Sequence, residues 1–132
     1  LVVDEDYGLR PFVQAVAADI DHRCRYCYAC RLDRTARYAA ENGFDSFSTT
    51  LLISPYQDHE LIRTLGETAA HKYGVPFLYR DFRPGFWDGH EKAKALGFYM
   101  QKYCGCIFSE EDRYAKAIAR DKKNTMVHFP EP

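Results

Sequence analysis

The chain has 132 residues, 46% of them hydrophobic and 28% charged, with a formal net charge of −1. One domain's length and ordinary composition exclude a disordered, collagen-like or coiled-coil chain, and no apolar run approaches the roughly 20 residues of a membrane span. Near-neutral charge excludes a wholesale basic nucleic-acid binder. The five Cys, an odd count in a chain that opens Leu1-Val2-Val3 without a signal peptide, argue against a secreted disulfide scaffold and for a cytoplasmic protein with no membrane association.

In chain order, residues 1–3 read as the end of a buried strand, and Pro11 opens a helix running to about Ala18. After a polar connection over 19–25, a strong helix starts near Cys27, with Leu32, Ala36, Ala39 and Ala40 at helical spacing, and stops at Gly43. The β-branched and aromatic stretch 44–53 predicts a strand. Ser54-Pro55-Tyr56-Gln57 fits a capping box, with Asp58 as the other candidate cap, for a helix that ends at Gly74. Residues 75–79 predict a second short strand, 81–89 a loop and 90–100 a helix weakened by Gly97. Ser109-Glu110-Glu111-Asp112 opens a last helix to about Lys122.

This alternation predicts an α/β fold, a partial parallel sheet with covering helices, as one domain over 1–123 followed by a mobile tail over 124–132. Sites in such sheets lie beyond the carboxyl ends of the strands.

Two clusters hold all five thiols. Cys24-Arg25-Tyr26-Cys27 places a C-x-x-C pair at a loop-to-helix junction, where a helix N-terminus and neighbouring Arg favour the thiolate that binds metals. Cys30, three residues on, is either a third ligand or a small buried residue. Cys104-Gly105-Cys106 brings two sulfurs close through a permissive Gly, which suits a labile disulfide or two metal ligands. Together they permit a four-cysteine zinc site in a non-catalytic binding module, an iron–sulfur centre, a metal centre beside a redox pair, or a metal-free thiol–disulfide oxidoreductase. Between His22 and Tyr38, five Arg stand against one Asp. That surplus is either a solvated helix face or a phosphate-contacting patch, with Tyr26 and Tyr28 interleaved as base stacking needs. Gln57, Asp58 and His59, a candidate proton shuttle, follow the strand predicted at 44–53, and Asp81 and Arg83 follow the one at 75–79. His22, His71, His90 and His128 show no ligand spacing, and there is no P-loop, G-x-G-x-x-G or G-x-S-x-G.

Four motifs in order go further: Arg23-Cys24-x-x-Cys27-Tyr28 with Arg31-Leu32-x-x-Thr35-Ala36; Thr49 through Gln57 with His59; Asp81-Phe82-Arg83; and Tyr103-Cys104-Gly105-Cys106-Ile107-Phe108-Ser109. Across about Tyr7 to Lys122 the chain resembles the epoxyqueuosine reductases of the cobalamin-independent QueH type. That resemblance implies reduction of the epoxide of epoxyqueuosine in tRNA to an alkene, the last step of queuosine synthesis. It also implies an adenine-nucleotide α-hydrolase-like (HUP/Rossmann-like) three-layer fold with C-terminal helices, and a 4Fe–4S cluster with an additional iron ion. By motif matching, Cys24 and Cys27 are cluster ligands and Cys104 and Cys106 the redox-active pair. The partners are tRNA and an unidentified electron donor. Arg25, Arg31, Arg34, Tyr28, Gln57 and Arg83 are candidates for binding tRNA, and His59 or Asp81 for supplying the proton. The chain departs from the family pattern in lacking a vicinal Cys pair after the first strand, in Met100 where a basic residue is usual, and in its extra Cys30. The expectation is therefore a family domain whose N-terminal part is absent from this sequence.

Overall fold

The fold is that of a computed structural model, which describes residues 2, 3, 5 and 8–124. The chain divides into two units, one reaching His90 and one beginning at Glu91.

The first unit is built on a helix pair. Helix α1 (Leu9–Val16) begins after Gly8 and buries Val16. Pro11 sits in its first turn, where a missing N–H removes no helical bond. A short 3-10 turn, Ile20–His22, leads into α2 (Arg23–Glu41), which buries Tyr28, Leu32, Ala36 and Ala39. Those spacings of four, four and three residues make one apolar stripe. Helix α3 (His59–Tyr73) presents Ile62, Gly66 and Ala69. Phe47, Leu52 and Val75 complete the core, with the Phe77 ring packed over Gly66. Burying side chains such as Leu32 and Ile62, at 2% and 0% exposure, stabilises by about 1.5–3 kcal/mol each. At the rim, Asp33 of α2 accepts from Lys72 Nζ (2.6 Å) and Tyr73 Oη (2.8 Å) of α3.

The glycine stops work as the sequence predicts. Gly43 takes φ 69°, and Phe44 N–H then reaches back to Ala39 C=O at 2.9 Å, capping the last carbonyls of α2. Asp58, not Ser54, caps α3: its carboxylate accepts from Leu61 N–H at 3.0 Å. The Ser54 hydroxyl instead accepts from Tyr56 N–H in a local turn.

The expected parallel sheet, and with it the three-layer α/β fold, does not form: among the described residues there is no strand, only a single parallel bridge between Phe47 and Phe77. Its two bonds run from Phe47 N–H to Pro76 C=O (3.0 Å) and from Leu78 N–H to Phe47 C=O (2.8 Å). Side chains then take over the groups that a ladder would use. Ser48 Oγ donates to Leu78 C=O at 2.9 Å, and Thr49 Oγ1 accepts from Leu51 N–H at 3.3 Å, starting a 3-10 turn over Thr50–Ile53. Ser and Thr hydroxyls compete with backbone pairing in this way. Proline at 76 also lacks the N–H that a central strand would donate. The strand expected at residues 1–3 is likewise not seen at Val2 and Val3, which are 68% and 71% exposed.

Two further α-helices follow, with turns and irregular backbone over 96–106 between them. A 3-10 turn, Arg83–Gly85, and α4 (Phe86–Ala95) occupy the segment expected to be a loop, and Gly97 ends α4 instead of weakening it. Phe98 N–H bonds Ala93 C=O at 3.0 Å, the same capping pattern as at α2. Helix α5 (Ile107–Asn124) begins two residues before the expected start at Ser109. The tail expected to be mobile, and His128 within it, lie outside the described residues beyond Asn124.

Gly66 gives a direct test of the core. A Cβ built there falls 2.5 and 2.7 Å from carbons of the Phe77 ring. Gly66→Ala is expected to lower unfolding stability by about 1–3 kcal/mol, read by urea denaturation, and Phe77→Leu in the same chain should recover part of the loss.

Candidate functional site

The first thiol cluster lies inside α2, since the helix starts at Arg23, four residues before its expected start at Cys27. Cys24 and Cys27 are one turn apart, so their side chains share a face. Cys24 is exposed and Cys27 half-buried. Cys30 is exposed, which removes the reading of it as a small buried residue; its hydrogen bond to Tyr26 raises the phenol's pKa. Tyr26 also packs at 6.1 Å against Phe12 of α1.

Tyr28 joins this turn to the start of α3. The residue is 3% exposed, so its ring belongs to the core and is not offered for stacking on bases, as its spacing among the arginines suggested. Its hydroxyl donates to Gln57 Oε1 at 2.7 Å and accepts from Asp58 N–H at 3.4 Å. Burial pushes its pKa up to about 12; the Asp58 N–H opposes that, and Cys24, hydrogen-bonded to the same phenol, adds to it. Cys24, Gln57 and the backbone of Asp58 thus meet on one oxygen, although about thirty residues separate α2 from the other two.

His59 is 5% exposed. Its Nε2 donates to Ser54 C=O at 3.1 Å, and Tyr79 Oη lies 3.4 Å from Nδ1 with the rings edge to face. These contacts fit the Nε2–H tautomer with both nitrogens engaged. Tyr79 is a partner that the sequence does not reveal, because nothing local marks a contact twenty residues away.

Asp81 forms a forked pair with Arg83: Nε to Oδ1 at 2.9 Å and Nη2 to Oδ2 at 2.7 Å, with Arg83 N–H also on Oδ1 at 3.0 Å. The guanidinium first, and that N–H second, lower the carboxyl pKa to about 2. The pair with Arg83 holds Asp81 as the carboxylate further into acid than an unpaired aspartate. Between the two bridged segments lies an open groove of about 530 Å³, lined by Ser48, Thr49, Thr50, Ile53, Leu78 and Phe82. Arg80 stacks over the Phe82 ring at 5.8 Å.

The arginines separate. Arg31 and Arg34 follow Cys27 on one exposed stripe of α2, whereas Arg25 and Arg34, nine residues apart, point to roughly opposite sides of the helix. Arg37 pairs with Glu41 at 3.0 Å, and Arg23 donates to Ile20 C=O.

In the second unit Cys104 is exposed and Cys106 half-buried, both as free thiols, and Gly105 between them takes φ 89°. Only glycine adopts that value at little cost. Cys106 stands just before α5, and its C=O accepts from Glu110 N–H at 3.0 Å. Tyr103 packs edge to face on Tyr114 at 6.4 Å.

Among the described residues, no group of three or more His, Cys, Asp or Glu is gathered so as to hold a metal ion. The α2 turn offers two adjacent thiols, which is part of a ligand set for a cubane cluster and not a complete one. No helix among the described residues is long and apolar enough to cross a membrane.

Titration tests the two polar pairs. Tyr28 should ionise near pH 12 by ultraviolet absorbance, against about 10 for exposed tyrosines. The Asp81–Arg83 pair should be complete above about pH 4 and lost as pH falls through about 2, followed by carboxyl carbon resonance; Arg83→Ala should return Asp81 to the ordinary carboxylate range.

A family model described as epoxyqueuosine reductase QueH matches residues 1–112. Curated relatives carry the same description. One from Dehalococcoides mccartyi is 40% identical over 116 residues, covering 88% of this chain and 64% of its own. One from Thermotoga maritima is 45% identical over 103 residues, 76% of this chain and 54% of the relative. One from Streptococcus pyogenes is 37% identical over 120 residues, 81% and 47%. This chain therefore spans about half to two thirds of the length of those relatives. A match over most of the chain, at these identities, places the sequence in the QueH epoxyqueuosine reductase family.

Proposed function

We propose that the chain carries the tRNA-facing and thiol-bearing part of an epoxyqueuosine reductase, which removes the epoxide oxygen of epoxyqueuosine in tRNA to leave an alkene. The observation that carries the reading is the convergence of Cys24, Cys27, Tyr28 and Gln57, from the first turns of α2 and the approach to α3, in a chain of this family.

Deoxygenation needs two electrons and two protons and releases water. The Cys104 and Cys106 thiols balance it: two S–H groups become one disulfide, both C–O bonds break, and the oxygen leaves with the two thiol protons. A separate electron donor then restores the dithiol. The 4Fe–4S cluster and the additional iron are part of this proposal. Cys24 and Cys27 are the residues that would hold one side of the cluster, whose chemistry is one-electron transfer and Lewis-acid binding of oxygen. No step is assigned through it, because the described residues do not complete its ligand set.

The tRNA would lie along the Cys27–Arg31–Arg34 stripe, where exposed guanidinium groups follow the thiols and match phosphate geometry. An anticodon-loop base reaches such a site without opening a duplex. A cytoplasmic location follows from the same reading.

Two measurements test this. With tRNA containing epoxyqueuosine and Cys104 and Cys106 reduced beforehand, the protein should form queuosine under anaerobic conditions, with one Cys104–Cys106 disulfide per alkene in a single turnover. Cys106→Ser should abolish the turnover and the disulfide, and turnover that survives in Cys106→Ser excludes the dithiol role. Arg31→Ala and Arg34→Ala should each weaken tRNA binding and reduce the salt dependence of log affinity by about one unit of slope; unchanged affinity at low salt removes the stripe from the interface.

A further inference from the structure

Tyr28 has one hydroxyl hydrogen and commits it to Gln57 Oε1 at 2.7 Å, while its oxygen receives Asp58 N–H at 3.4 Å. The phenol is therefore a donor toward Gln57, and the Gln57 amide has a fixed sense. Its oxygen faces Tyr28, and Nε2, with two N–H donors, forms the other end. Tyr28 is buried and Gln57 half-buried, so little solvent competes for that bond. Cys24 shares the same phenol, which puts the amide beside the thiol-bearing turn of α2.

We propose that Tyr28 is a positioning residue that holds the Gln57 amide so that its Nε2–H group donates to an acceptor oxygen of the ligand bound at the Cys24–Cys27 turn. Resting on the proposed function, the acceptor is the epoxide oxygen of the modified base. That oxygen has lone pairs, and it gains negative charge as its C–O bonds break, which a fixed donor stabilises. The alkene product has lost the acceptor, so the donor is left without a partner in the product complex. Gln57 then discriminates substrate from product, and Tyr28 enforces the discrimination without touching either.

The experiment compares wild type, Gln57→Leu and Tyr28→Phe for binding to tRNA carrying epoxyqueuosine and to the same tRNA carrying queuosine, alongside the nuclear magnetic resonance of the Gln57 side-chain amide. Wild type should prefer the epoxide, and Gln57→Leu should lose about fivefold of that preference. Tyr28→Phe keeps the ring in the core, so it should lose the same preference while its Gln57 amide signal narrows to that of a freely moving side chain. A Gln57→Leu variant that keeps the full preference overturns the ligand assignment. A wild-type Gln57 amide as mobile as that of exposed Gln14 overturns the positioning by Tyr28. A wild-type protein that binds neither tRNA overturns the proposed function and the epoxide assignment with it, and the amide signal still decides whether Tyr28 holds Gln57.

Discussion

The phenol of Tyr28 is the constraint on which the first unit's site depends. Its ring must be buried because it begins the apolar stripe of α2, and a buried hydroxyl must be hydrogen-bonded. Polar groups at the approach to α3 come within reach, so satisfying one oxygen sets the first turns of α2 against Gln57 and Asp58. The thiols of Cys24 and Cys27 are carried along by the same helical turn.

The helix pair behind that contact is held by shape. Ala36, Ala39 and Ala69 are small residues buried in the core that α2 and α3 share, and Phe77 fills the space that Gly66 leaves. A rigid pair of this kind gives the polar groups at its end fixed positions. Of the charged pairs on the periphery, Asp33 with Lys72 joins α2 to α3 and Arg37 with Glu41 lies within α2; both are solvent-exposed and contribute little to stability.

The absence of a sheet among the described residues has a local origin with consequences for the site. One residue pair bridges in parallel, and then the hydroxyls of Ser48 and Thr49 turn the backbone away from further pairing. The open groove there is lined in part by Leu78 and Ile53, 55% and 40% exposed, and by Phe82. The Asp81–Arg83 fork holds the Asp81 carboxyl well below the usual carboxylate range.

Much of this was legible in the residues alone. Helical periodicity and glycine stops located α2, α3 and the end of each, because those signals are local and act within one turn of the chain. The ordered Cys, Gln and Arg motifs identified the family for a similar reason: chemistry demands particular side chains at particular spacings. What the sequence could not decide was which polar groups would commit their hydrogen bonds to one another. Tyr28 read as a base-stacking ring and became a buried anchor; His59 and Asp81 read as proton donors, and one is enclosed by Ser54 and Tyr79 while the other is held ionised by Arg83. The strands at 44–53 and 75–79 had the right composition, yet strand propensity becomes a sheet only if partners supply the donors and acceptors, and here side-chain hydroxyls and a proline intervene. Residue type and local spacing are properties of the chain, whereas burial and hydrogen-bond partnership depend on segments twenty to forty residues apart, and those only the tertiary structure brings together.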